Sequence, residues 1–123
     1  MIQIPVSIGE LYDKYTILEI KKQKMVDNTK IEMIDKELKY LNQYIDKFNL
    51  DVIILNNLQC INKTLWEIED NIREKEKKKE FDKEFIELAR SVYITNDKRS
   101  KLKNEINVLL KSDFFEIKSY SNY

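Results

Sequence analysis

After Gly9, the remaining 114 residues of this 123-residue chain contain neither glycine nor proline. These are the two strongest local breakers of regular structure, so a chain without them folds into long helices joined by short polar turns. Hydrophobic spacing says the same. Ile31, Ile34, Leu38, Leu41, Ile45 and Phe48 step by three and four, as do Ile54, Leu58, Ile61, Leu65, Ile68 and Ile72. Such seams pack on neighbouring helices at shallow crossing angles.

The spacing predicts four helices over about 7–26, 30–48, 52–78 and 82–111, with a tail over 112–123 and no second domain, linker or repeat. The first opens on a capping box: Ser7 accepts from the amide of Glu10, and Glu10 reaches back to Ser7. The expected fold is all-α, an antiparallel four-helix up-down bundle or a set of long helical hairpins, with coiled-coil-like seams. The run REKEKKKE at 73–80 reads as a solvated hairpin tip in which Glu74 and Lys78 are spaced to pair. The tail SDFFEIKSYSNY is aromatic, and Phe114, Phe115, Tyr120 and Tyr123 could dock across the bundle end or on another subunit, docking within the chain being the expectation.

Composition removes several function classes. Lys and Arg together number 22, as do Asp and Glu, so no basic excess draws the chain to nucleic acid or to anionic membranes. The single cysteine, Cys60, cannot form an intrachain disulfide, and without histidine the usual zinc sites cannot be assembled. No run approaches the ~18 apolar residues of a membrane span, and the start lacks a basic segment followed by an apolar one. A cytoplasmic protein without cofactor or metal is the expectation.

One apolar face is interrupted. The fourth helix shows Phe85, Leu88, Val92, Thr95, Arg99, Leu102, Ile106 and Leu109, so a guanidinium stands where a bundle helix carries leucine. A lone buried guanidinium is too costly and needs a carboxylate. In an up-down bundle Glu19 lies at the same height on the first helix, about 16 Å above its base. Glu19 is therefore the expected partner, with Tyr15, Thr95 and Asn96 beside it. A second polar level gathers Trp66, Glu69 and Arg73 on the third helix with Arg90, Tyr93 and Asp97 on the fourth.

Two functions fit. The first is a small helical interaction or structural protein that binds a protein partner or a second copy of itself. The alternative is a binding or catalytic site for a small anionic ligand, lined by Glu19, Tyr15, Arg99 and Asn96 with Glu69, Arg73, Arg90, Tyr93 and Asp97. No catalytic motif is recognised. A magnesium-dependent all-α pyrophosphohydrolase ranks below both, because the pairs Glu67/Asp70, Glu84/Glu87 and Glu32/Asp35 have the spacing but fall off the apolar arcs of their helices.

The stretches VSIGELYDKYTILEIK (6–21), LWEIEDNIREKE (65–76), FDKEFIELARSVYITNDKRSKLKNEIN (81–107) and KSY (118–120) carry a resemblance. The chain resembles an uncharacterised family of short all-helical proteins of bacteria and their phages, a domain of unknown function. The resemblance implies no activity. It does imply that Asp13, Lys14, Glu19, Trp66, Glu69, Asp70, Arg73, Arg90, Tyr93, Asn96, Asp97 and Arg99 belong to the family's recurring pattern.

Overall fold

The computed structural model describes residues 1–123 and contains four helices and no strand. They are α1 (Ile8–Lys24), α2 (Asn28–Ile45), α3 (Val52–Lys77) and α4 (Lys83–Leu109). Each begins on a residue whose side-chain oxygen satisfies an otherwise free amide of the first turn. Ser7, Asp27, Asp51 and Asp82 accept from Glu10, Thr29, Ile53 and Phe85 respectively. Asp27 thus takes the capping place ahead of the expected start at Lys30. The box on α1 is half formed, because the Glu10 carboxylate is drawn instead to the ammonium of Lys103, 2.8 Å away.

The ends of α3 and α4 need a left-handed residue, and lysine occupies both positions, Lys79 and Lys111, each at φ 56°. The amide of Glu80 then bonds back to Lys75 O and that of Ser112 to Asn107 O. These closures stop the helices without glycine.

α1 is the central element. It contacts each of the other three helices, α3 and α4 contact one another, and α2 reaches no helix but α1. Two faces of α1 are therefore covered. Leu11, Tyr15, Leu18 and Met25 pack against Ile34, Leu38 and Leu41 of α2. The other face, Gly9, Asp13, Thr16 and Ile20, steps by four, three and four and is buried. A second apolar cluster, Tyr12, Leu58 and Ile106, closes the base of the molecule together with Ile8, Ile45, Phe48, Leu50 and Leu110.

Above α1 the α3–α4 hairpin continues alone. Its apolar side chains Leu65, Ile72, Phe85, Leu88 and Val92 are only partly covered, and Ile68 alone among them is buried. No buried apolar cluster forms in this half. At its tip Lys75 is held by Glu80, Asp82 and Glu84 at 3.0–3.1 Å, and these bonds raise its pKa. Glu74 and Lys78 do approach, but only to 4.0 Å. No helix is long and apolar enough to cross a membrane.

Candidate functional site

The buried face of α1 is polar because α4 opposite it is polar. Gly9 permits the approach: a β-carbon there would overlap the carbonyl oxygen of Lys103. The Gly9 amide donates instead to Asn107 Oδ1 at 2.6 Å. One turn further along α1 stands Asp13, its side chain 2% exposed. Its carboxylate accepts from Arg99 Nε at 2.9 Å and from Arg99 Nη2, a two-pronged pairing that suits the planar guanidinium. Asn62 of α3 gives one amide hydrogen to Asp13 Oδ1 at 3.0 Å and the other to Thr16 Oγ1 at 2.9 Å. Thr16 in turn donates to the Asp13 carbonyl.

Arg99 is therefore neutralised by Asp13 and not by the expected Glu19. The two acids lie six residues apart, about 9 Å along α1, and they also differ in direction. At about 100° per residue that separation turns them about 240° around the helix, so Asp13 meets α4 while Glu19 meets α2. Glu19 and Tyr15 line a cleft of about 390 Å³ with Lys22, Asp35, Leu38 and Asn42. Burial raises the pKa of Glu19 there, and burial followed by the charge of Glu19 raises that of Tyr15. Asn96 does stand where expected, its Oδ1 accepting from Arg99 Nη1 at 3.4 Å.

Lys103 is the second buried cation, with 7% of its side chain exposed. Its Nζ lies 2.8 Å from Glu10, 3.1 Å from Glu116 and 3.9 Å from Asp13. Burial works against its charge, but the bonds to Glu10 and Glu116 and the field of Asp13 outweigh it, so its pKa is raised. That of Arg99 is raised chiefly by its hydrogen bond to Asp13. Burial would raise Glu116, yet Lys103 holds its carboxyl below the ordinary range. Two cations and three carboxylates thus form one network joining α1, α4 and the tail.

The tail turns back along α4. Asn104 holds it as a strand neighbour would, its Nδ2 donating to Glu116 O and its Oδ1 accepting from Glu116 N, both at 3.2 Å. Ser112 accepts from the Ile8 amide at 3.0 Å. At the far end Tyr123 packs edge-on against Tyr93, 5.1 Å between centroids, and its hydroxyl donates to Asp97 at 2.5 Å. Phe114 and Phe115 remain half exposed.

The expected second polar level is not one constellation. Arg73 pairs with Glu69 at 3.5 Å within α3, and Arg90 with Glu87 at 3.3 Å within α4, all four exposed at the surface. A pair four or three residues apart on one helix satisfies both charges locally, which leaves nothing to draw the two helices' polar flanks together. Tyr93 and Asp97 serve the tail instead. No three of the carboxylates and Cys60 are grouped to hold a metal ion, and Asp35 is engaged by Lys22 at 2.7 Å.

A polar stripe on α1, its counterparts on α4 and a tail tied to both all lie within a single family model, which matches residues 2–123 and is described as a family of unknown function, DUF6165. The chain belongs to that family. No curated protein and no solved structure matches it. Membership of DUF6165 brings no activity with it, so the chemistry of the site rests on this chain's residues alone. Asp13, named in the family resemblance, proves to be the centre of the network. Asn62, Lys103, Asn107 and Glu116 were not singled out by the sequence. The available signal was the spacing of Gly9, Asp13 and Thr16, a polar stripe at helical period on the helix that also carries the chain's sole glycine.

Proposed function

We propose that this protein is a helical interaction protein whose α3–α4 arm packs against the arm of a second copy. The observation that supports this reading is the only partly covered seam above α1. Helices bury an apolar stripe by packing on another layer, and here Leu65, Ile72, Phe85, Leu88 and Val92 have only each other. Trp66, partly buried beside the seam, adds a large apolar anchor of the kind enriched at interfaces.

A second copy suits the arm's charge. Residues 63–98 carry ten acidic and nine basic side chains, so two arms meet without a net repulsion and with both signs available for cross-pairing. Four helices from two arms would give the usual bundle geometry.

Sedimentation equilibrium tests this reading. The wild type is expected to sediment as a dimer at micromolar concentration, and Leu65→Glu with Leu88→Glu to return it to monomer with helical circular dichroism retained. A wild type that stays monomeric to about 1 mM would remove the reading.

A ligand site that joins Glu19 to Arg99 is not supported, because α1 stands between them. The buried network around Asp13 reads instead as a lock that fixes the register of α1 on α3 and α4, a role attested for buried polar groups in helical assemblies.

A further inference from the structure

The folded-back tail and α4 flank an open groove of about 730 Å³. That volume is within the range of small-molecule sites. Its lining is basic although the chain as a whole is neutral. Lys98, Lys101 and Lys118 face it, against a single acid, Asp97. Asp97 is already engaged by the Tyr123 hydroxyl at 2.5 Å. Lys98 and Lys101 have no carboxylate within ion-pair distance, and Lys118 lies only at 3.9 Å from Asp97 and 4.0 Å from Glu116. The side chains lining it therefore carry an excess of two positive charges, beside hydroxyl and amide groups from Tyr120, Ser121 and Asn122.

The geometry points to a binding site here for the phosphate monoester of a small polar molecule. Three lysines act as point charges, a form in which lysine binds phosphate, and the near-double negative charge of a phosphate monoester matches the side-chain excess of two where a single carboxylate would leave one cation unmatched. The groove is much larger than a phosphate ion, and its hydroxyl and amide groups supply hydrogen bonds for a hydroxylated body. Half of the wall is tail, and the tail is fixed by Asn104 and Lys103. The buried network thus holds the site's second wall in place, and ligand contacts to Lys118 and Tyr120 fasten the tail further. This site does not depend on the arm's pairing, which is measured separately by sedimentation.

Titration calorimetry and amide NMR on the full chain, at constant ionic strength, test the assignment with glycerol 3-phosphate and ribose 5-phosphate as probes. At least one is expected to bind saturably, shifting the amides of Ser100, Asn104 and residues 118–122. Lys98→Gln with Lys101→Gln is expected to weaken it tenfold or more. Lys39→Gln with Lys63→Gln, at exposed positions outside this groove, leaves it unchanged. Saturation by neither phosphate, undiminished binding to the Lys98/Lys101 variant, or equal binding of unphosphorylated ribose or glycerol overturns the proposal.

Discussion

The lower and upper halves of the α3–α4 hairpin are built from the same two helices, yet one is closed and the other open. Below, α1 lies against both helices and the contact is largely polar: Asp13, Thr16, Asn62, Lys103 and Asn107 are buried, and their polar groups are matched in direct bonds. Above, the seam is apolar, yet apart from Ile68 its residues are only partly buried. Burial in this molecule is set by how many layers surround a position, and hydrophobicity alone does not decide it. Most apolar side chains without a third layer stay partly wet, while polar ones inside three layers stay dry provided each finds a partner.

The contrast breaks most sharply at Asp13. Asp13→Ala leaves Arg99 and Lys103 short of a carboxylate and is expected to cost roughly 3–5 kcal/mol in urea unfolding. Asp13→Leu combined with Arg99→Met is expected to be far milder; equal losses would mean that the two side chains do not act as a pair. Next come the apolar residues. Leu58→Ala, in the closed base, is expected to lose about 2–5 kcal/mol, near the upper range for cavity formation. The same change at Leu88, measured on monomer, is expected to lose no more than about 1.5 kcal/mol because that side chain is already partly wet.

Gly9→Ala presses a methyl group onto the Lys103 carbonyl and is expected to cost roughly 1–3 kcal/mol, read by the same unfolding curves. A finer comparison uses the two left-handed lysines. Lys79→Gly at the arm's tip and Lys111→Gly at the base each relieve about 1 kcal/mol of backbone strain. If the arm frays independently, only Lys111→Gly raises the global unfolding midpoint, whereas Lys79→Gly raises hydrogen-exchange protection near the tip alone.

The smallest effect is electrostatic. Glu116 has a folded pKa below its ordinary 4.5, so its contribution is complete above that value and is lost as the pH falls through the lower, folded one. Lys103 has the opposite sense: raised above 10.5, it contributes fully below that value and loses its share as the pH rises through the folded one. Amide shifts of Ile117–Tyr120 are expected to move towards random-coil positions in acid before the helical signal falls.

The sequence made the helices legible because their period, caps and turns are local. Ser7 could be named as a cap, and Arg99 could be marked as a buried cation in need of an acid, since both follow from spacing along one helix. Its partner could not be chosen that way. The apolar arc Leu11, Tyr15 and Leu18 is the face that meets α2, and it drew Glu19 in with it. The opposite stripe of Gly9, Asp13 and Thr16 has no hydrophobic signature, so periodicity in apolar residues passed over a face that is buried even more completely. Lys103 was missed for the same reason: a lysine beside a heptad position reads as a solvent-facing flank until Glu10 and Glu116 are seen to converge on it. The tail's return along α4 depends on Asn104 gripping a backbone, which no residue pattern announces.

Of the four helices α1 leaves the ribosome first, yet the groups that neutralise and bond Asp13 lie at Asn62, Arg99 and Lys103, so its inner face is expected to stay hydrated until α4 has been made. The hairpin of α3 and α4 closes through near neighbours, whereas seating α1 closes a loop of some 86 residues between Asp13 and Arg99, and loop closure of that kind is the slow part of assembly. α1, the first of the four helices to be synthesised, is thus expected to be the last to settle, and the tail, whose Glu116 shares Lys103 with Glu10, fastens the fold like a latch.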